Sequence, residues 1–280
     1  MYKNIIACLM GLAFLSVSCS QEDPIPFEPY APELDLSDPT DRAIYELQQE
    51  FGAKIIYRYD RRYVSTSAFA VPPRKELVLP YIENVVRKLF IAPYDRQKTD
   101  FMRQEMPIEM IMFGTSIDYV EGGEQNFSAT GLATGLSRII IAGINDYNLN
   151  SRSWVSKQHA TLHHEFAHVL DKKYGRPVGF DNVSRGLYAG GTAYSSFSQA
   201  EARSRGFWRN YGMLNETEDF GTWVDGIVTT PKEQVLEIVS ANNLLSQKYT
   251  MVYNFYLEKG IDLHELQAYL QNILNDLDED

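Results

Sequence analysis

One short stretch, Thr161 to Asp171, constrains the chain most because it holds the pattern His-Glu-x-x-His. In an α-helix His164 and His168 lie on one face, roughly 6 Å apart along the axis, so both imidazoles can reach one ion. Zinc accepts imidazole nitrogen, and a catalytic zinc site uses three protein ligands so that water can hold the fourth position. Glu165 lies just off that face, where its carboxylate can take a proton from this water. The pattern therefore predicts zinc bound by both histidines, with Glu165 as general base.

The residues around this pattern follow helical spacing. They form an apolar stripe that points almost opposite to the two histidines, so one face packs and the other is free for metal. The stripe consists of Val155, Leu162, Phe166 and Val169. Ser153 or Ser156 can cap the start, and Gly175 with Pro177 supplies the stop. The alternative is a chance match on an ordinary helix, expected in roughly one such chain in a hundred.

The N-terminus indicates a signal peptide over residues 1–18. Lys3 precedes an apolar run from Ile5 to Val17, which at about 14 residues is too short to cross a bilayer. The small residues before Cys19 resemble a bacterial lipobox, so we expect cleavage there and lipidation of Cys19. Cys8 would leave with the signal peptide, which excludes disulfides and cysteine ligands to zinc in the mature chain.

Residues 19–38 are predicted to be the lipidated cysteine and a proline-rich tether. Gln21-Glu22-Asp23 resembles the acidic signal that exports some lipoproteins to the outer face of the outer membrane, although a solvated linker would look the same. We expect an outer-membrane lipoprotein at the cell surface, with the periplasmic face as the alternative. The formal net charge of −11 argues against nucleic acid as a partner and against electrostatic binding to anionic lipid.

Residues 39–280 are predicted to form one α+β domain of two lobes. The first lobe, at about 39–174, is predicted to be α/β with a small sheet, and the second, at about 175–280, all-α. The metal-binding helix is expected to lie between them. Predicted helices of the first lobe are 39–51 and 79–90, and its predicted strands are 54–59, 108–113 and 138–144. The glycine-rich stretch 121–137 is predicted to be a long hairpin or flexible loop, and 185–196 a surface loop. Helices are then predicted at 199–211, 216–228, 231–242, 246–258 and 262–277.

The third metal ligand has several candidates. Asp171 lies seven residues after His164 on the same face, although accepting the free N–H of a ligating histidine suits it better. Glu218 and Asp219 are the other candidates, although the spacing alone favours a capping box with Asn215 as N-cap and Glu218 three residues later.

The motifs resemble those of known metallopeptidases. HHEFAHVLD, followed some fifty residues later by YGMLNETEDFGTWVD, is similar to gluzincins and to lethal-factor-type peptidases. With the lipoprotein start, the chain resembles the substrate import-associated zinc metallohydrolase lipoproteins. This resemblance, which covers under a fifth of the chain, implies a zincin-like fold, Glu218 as third zinc ligand and Tyr211 as transition-state donor. Asp219, like Asp171, is then expected to contact a ligand and not the ion.

The remaining histidines are not expected to bind metal. His163 points about 100° away from His164, which favours a core or cleft-lining role. His159 and His264 have no partner in the sequence.

These features together predict a zinc-dependent metallopeptidase that acts on a peptide or protein, with outer-membrane importer components as partners. One alternative is a non-catalytic zinc-containing binding lipoprotein of an import complex. Another is a zinc hydrolase of a non-peptide amide.

Overall fold

The structure, a computed structural model, describes residues 33–58, 60–64, 68–121, 124–129, 131–134 and 137–276. The predicted signal peptide, Cys19 and most of the predicted tether lie outside these residues. The folded unit begins at Asp35, so residues 35–38 belong to it and not to the tether. The backbone N–H of Asp35 donates to the Asp41 carboxylate (2.9 Å), which ties this segment to the first helix. Among the described helices, none is both long and apolar enough to span a bilayer.

Helices dominate the fold. In chain order they are α1 Pro39–Phe51, α2 Lys75–Tyr81, a π-helical segment Ile82–Ile91, α3 Ala92–Asp95, α4 Phe101–Glu105, α5 Arg152–Tyr174, α6 Phe180–Val183, α7 Gln199–Ser204, α8 Glu216–Thr229, α9 Lys232–Ser240, α10 Asn243–Leu257 and α11 Leu263–Asp276. Short 3-10 turns lie at Arg61–Tyr63, Ile144–Asp146, Ala193–Ser196 and Asn210–Met213.

The strands form two small sheets. They are β1 Lys54–Ile56, β2 Ala68–Phe69, β3 Glu109–Met112, β4 Ile117–Glu121, β5 Glu124–Ala129, β6 Gly131–Thr134 and β7 Arg138–Ile141. The first sheet has the order β1-β3-β7-β6, in which β6 alone is antiparallel to its neighbour. The second is the antiparallel sheet β2-β4-β5.

The central strands are predicted well because their composition is simple. Residues 110–112 and 139–141 are apolar and buried, as expected for parallel strands covered on both faces. The register pairs Ile111 with Ile140, and Glu109 with Arg138 at the strand start. Stretch 121–137 contains β5 and β6, and of the two alternatives for it the hairpin, formed by β4 and β5, is present.

The predicted helix limits are correct for α1 and wrong for two other ranges. Asp38 caps α1 and Gly52 ends it in the left-handed conformation, as the predicted range requires. Range 199–211 is not one helix, because Gly206 at φ 86° separates α7 from the 3-10 turn Asn210–Met213. The first-lobe helix 79–90 is part of a longer helical run that starts at Lys75 and contains Pro80.

Helix α5 lies at the centre of the molecule. It contacts β6, β7 and the π-helical segment of the first half, and α8 and α11 of the second half. Ser151 caps it, not Ser153 or Ser156, and Gly175 ends it as predicted. The predicted apolar stripe is buried, but so are His164, Glu165 and His168, because α8 covers the metal-binding face. The active-site helix between an α/β part and a helical part is confirmed, as a single folded unit.

Candidate metal centre

Three side-chain atoms from two helices converge on one point. They are Nε2 of His164 and Nε2 of His168 on α5, and Oε2 of Glu218 on α8. The Nε2 atoms lie 3.1 Å apart, and Oε2 lies 2.9 Å from His164 and 3.4 Å from His168. Ligand atoms about 2.05 Å from a tetrahedral zinc ion lie about 3.3 Å from each other. The three donors therefore fit a zinc ion with one coordination position left over.

Glu218 reaches this point because of the way α8 begins. The side chain of Asn215 caps the helix by accepting the N–H of Glu218 (2.9 Å), so Glu218 occupies the third helical position. Asn215 thus forms its half of the predicted capping box, whereas the Glu218 carboxylate, which would complete the box, faces the histidines. The cap fixes the first turn, and the first turn aims the carboxylate at α5.

His164 is held from both sides by carboxylates of α8. Its Nδ1 donates to Oδ2 of Asp225 (2.7 Å), and its Nε2 faces Glu218. Glu218 and Asp225 are seven residues apart, which places them on one face of the helix. Because a carboxylate only accepts, this hydrogen bond fixes the proton on Nδ1 and leaves the Nε2 lone pair for an ion.

Asp225 is in turn neutralised by Arg209, whose Nη2 lies 2.6 Å from Oδ2 and whose Nη1 bonds Oδ1. Neither residue was predicted. The signal was present in the sequence, since Asp225 follows Glu218 by two helical turns, but the spacing gains meaning only once α8 is known to lie on α5.

The carboxylates determine the protonation of the centre. Burial lowers the pKa of His164, but the hydrogen bonds to Asp225 and Glu218 raise it to about 10. Burial raises the pKa of Glu218, and the two histidines more than reverse this and lower it. In the metal-free chain Glu218 is thus ionised and His164 protonated, so a cation that replaces this proton meets an anionic partner.

Glu165 lies beside this cluster under the edge strand. It is buried, with 6% of its surface exposed. A Cβ at Gly131 of β6 would lie 2.7 Å from Glu165 Oε1, so strand and carboxylate are in direct contact. The same Cβ would lie still closer to Thr161 Cγ2, so a larger residue at this position would require Thr161 or Glu165 to shift.

Tyr211 also lies beside His164, on the 3-10 turn Asn210–Met213. Its ring centroid is 6.0 Å from that of His164 and 5.4 Å from that of Tyr194. Burial raises the pKa of Tyr211, and the charges of Glu218 and Glu165 raise it further, so the phenol stays protonated and can donate. Tyr194 belongs to stretch 185–196, which is held to this turn by the Ala189 N–H bond to the Met213 carbonyl (2.8 Å).

Two predicted partners of the ligands lie elsewhere. Asp171 bonds to Arg176, which comes five residues later and takes up its carboxylate. Within the described residues Nδ1 of His168 has no hydrogen-bond partner, so the expected bond to Asp171 is absent. Asp219 pairs with Lys248 (2.6 Å) and not with either histidine, because it lies about 100° further round α8 than Glu218.

The other histidines occupy the core, which for His163 is one of the two roles that the sequence predicts. His163 is fully buried and its Nδ1 bonds the Tyr94 hydroxyl (3.0 Å). His159 is 1% exposed, and His264 bonds the Tyr249 hydroxyl (2.8 Å). None joins the three-donor cluster.

A helix that carries His-Glu-x-x-His, with a glutamate from a later helix as third donor, defines a zincin-type metallopeptidase centre. Residues 39–264 match the model of the family described as "Putative zinc-binding metallo-peptidase", and the chain belongs to that family. Its members are grouped as zinc-binding enzymes, which agrees with the zinc and the peptidase class predicted from the motif.

A crystal structure of a metallo-peptidase of the same description, from Bacteroides caccae, is similar in fold. The TM-score is 0.65 at 20% sequence identity, and the match covers 90% of this chain and 97% of the other. A search of curated proteins finds no match.

Proposed function

We propose that the protein is a zinc-dependent peptidase that cleaves peptide bonds with water. The observation that carries the proposal is the combination of three converging donors with Glu165 and Tyr211 both close to His164. A purely structural zinc site closes all four positions with protein ligands and needs neither a base nor a donor. This combination therefore favours catalysis over the alternative of a non-catalytic binding lipoprotein.

Each side chain has a distinct task in this reaction. A zinc ion held by His164, His168 and Glu218 would supply Lewis acidity, which acidifies water and polarises a carbonyl. Glu165 takes the proton of the attacking water and passes it to the leaving amine. Tyr211 donates a hydrogen bond to the carbonyl oxygen as negative charge develops there.

The substrate is proposed to bind as an extended strand along β6. This strand lies at the edge of its sheet among the described strands, and Gly131 brings it against Glu165. An extended peptide can add to such an edge through main-chain hydrogen bonds, which recognise any peptide bond. A non-peptide amide would lack this repeating pattern, which is why we place peptides first.

The test is cleavage of a mixed peptide library by the purified protein with one equivalent of zinc, with products identified by mass spectrometry. We expect cleavage that a chelator abolishes and zinc restores. Stoichiometric zinc without any cleaved product would reject the peptidase and favour the binding lipoprotein. Hydrolysis of small amides but not of peptides would favour the other alternative.

We further propose that Cys19 carries a lipid anchor that places the protein at the outer membrane, facing the cell surface, beside outer-membrane importer components. Support comes from the cysteine after a signal-like segment, the acidic residues that follow it, and the family resemblance. Cys19→Ala is expected to release the protein from membranes. Continued recovery with the membrane fraction would mean that another segment or a partner holds it. Protease treatment of intact cells would distinguish the two locations, because it digests a protein at the cell surface and not one at the periplasmic face.

A further inference from the structure

Behind the metal centre lies an ion pair that is removed from solvent. Lys248 of α10 and Asp219 of α8 each have 0% of their side-chain surface exposed, and Nζ lies 2.6 Å from Oδ2. Charged side chains are almost never buried this completely, because both lose their hydration.

The surroundings compensate this loss. The hydroxyl of Tyr188 donates to the same Asp219 oxygen (2.9 Å). The ammonium group lies 4.1 Å from the ring centroid of Phe207, and 5.4 and 5.7 Å from those of Phe180 and Tyr188. Lys248 thus occupies an aromatic cage that is closed by one carboxylate.

The position of the pair connects it to two groups of the centre. Asp219 follows Glu218 directly in the first turn of α8. On its other side Asp219 meets Gly212, the neighbour of Tyr211, where a Cβ would lie 3.3 Å from the Asp219 Cα and 3.4 Å from its Oδ1. Movement of Asp219 would therefore move both the third metal donor and the turn that carries the phenol.

We propose that Lys248 is a positioning residue of the metal centre, acting through Asp219 on Glu218 and on the turn of Tyr211. Apolar residues of similar volume could hold α8 against α10 equally well, since buried ion pairs are weak contributors to stability. A charged hydrogen bond, unlike apolar packing, has a direction. That direction fixes the rotation of the first turn of α8, and with it the aim of Glu218.

The inference rests on the zinc site of the proposed function but not on peptide cleavage. The experiment therefore measures zinc affinity of the full chain by competition with a chelating dye, and thermal unfolding in excess chelator. Lys248→Met keeps an unbranched side chain, one atom shorter, and removes its charge. We expect zinc affinity to fall about 10–100-fold, the loss that is typical when a partner of a metal ligand is removed.

A double variant separates positioning from stability. Lys248→Met with Asp219→Leu replaces the ion pair by an apolar pair, so the melting temperature should recover while zinc affinity stays low. This variant also serves if Lys248→Met alone does not fold. Arg58→Met is the control, because it removes the charged partner of Asp41, which is as buried as Asp219 and lies on α1, a helix that holds no residue of the centre. Its melting temperature should fall with zinc affinity unchanged.

Three outcomes would overturn the inference. They are zinc affinity of Lys248→Met within twofold of the wild type, recovery of zinc affinity together with stability in the double variant, and an equal loss of zinc affinity in Arg58→Met. If the wild type cleaves no peptide while Lys248→Met still loses zinc affinity, the proposed function fails and the positioning role stands.

Discussion

Helix α5 carries two pairs of histidines with the same spacing of four residues. The metal-side pair is His164 and His168, and the core-side pair is His159 and His163. The two pairs point roughly 140° apart around the helix axis. The rings of the metal-side pair have centroids 4.6 Å apart, and those of the core-side pair 6.0 Å apart.

The immediate surroundings of the two pairs differ. Carboxylates of α8 hold His164 and raise its pKa to about 10, whereas burial lowers the pKa of His159 to about 4 and of His163 to about 3. The core-side rings lie among aromatic side chains such as Phe90 and Tyr94. The charge of Asp225 also acts on His159, but among the described residues Glu218 approaches the metal-side pair and not the core-side pair, so two histidines four apart become a metal site only when another element supplies a third donor.

The largest expected effect concerns the base on the metal side. Glu165→Gln keeps the shape of the side chain but removes its basicity, so turnover should fall about 10²–10⁴-fold with zinc content and melting temperature unchanged. Single-turnover assays of peptide cleavage provide the measurement. Activity within a few-fold of the wild type would mean that another group accepts the proton.

Two tyrosines allow the same comparison, one on each side of α5. Tyr211→Phe should lower kcat about 10²–10³-fold at constant KM, because its hydroxyl acts only in the transition state. Tyr94→Phe removes the hydroxyl that bonds His163 and should lower the melting temperature with kcat unchanged. Similar losses of stability without a specific loss of kcat in both variants would assign Tyr211 to the core.

Two aspartates, each seven residues beyond a metal donor, test the role of the second helix. Asp225→Asn weakens the partner of His164 and should reduce zinc affinity about 10–100-fold. Asp171→Asn, seven residues beyond His164 itself, alters only the pair with Arg176 and should leave zinc affinity within twofold. Competition with a chelating dye measures both, and equal losses would contradict the assignment of Asp225.

The smallest expected effect is on the pH dependence of folding stability, and it concerns His159 of the core-side pair. Because folding lowers the pKa of His159, the unfolded chain binds more protons below pH 6.5, and stability falls as pH drops toward 4. His159→Leu should remove about 2 kcal/mol of the loss between pH 7 and pH 5. The groups that face His159 are His163 and Asp225, which stay in place in this variant.

Urea titrations at both pH values, in excess chelator, give the free energies of unfolding and exclude effects of metal loss. Zinc affinity at pH 7 should not change. An unaltered pH dependence in His159→Leu would show that this imidazole does not titrate with folding.

The parts of the molecule that could be predicted are those with local causes. The limits of α1 and α8 follow from Asp38 and Asn215, which cap the helices that they precede. The metal-side histidines and Glu165 lie within one helical turn, so their mutual geometry is independent of the rest of the fold. Glu218 was identified through a family resemblance, and its capping spacing alone did not decide between two interpretations.

The residues and the helix break that the sequence did not predict correctly depend mostly on contacts between distant parts of the chain. Asp225 and Lys248 matter through contacts between helices, and nothing in their own surroundings in the sequence distinguishes them from other charged residues. Asp171 had the correct helical face, but Arg176 competes for its carboxylate. The break at Gly206 was missed because one glycine in a helical pattern is compatible with continuation of the helix.

The arrangement of the donors also orders events in time. His164 and His168 come together as soon as one turn of α5 forms, whereas Glu218 lies 54 positions from His164 and arrives only when α8 docks. Local contacts form early in folding, and distant ones wait for the chain to close the loop between them. An ion bound before α8 docks would therefore have two of the three protein ligands, so tight retention of zinc would require both halves of the chain to be folded together.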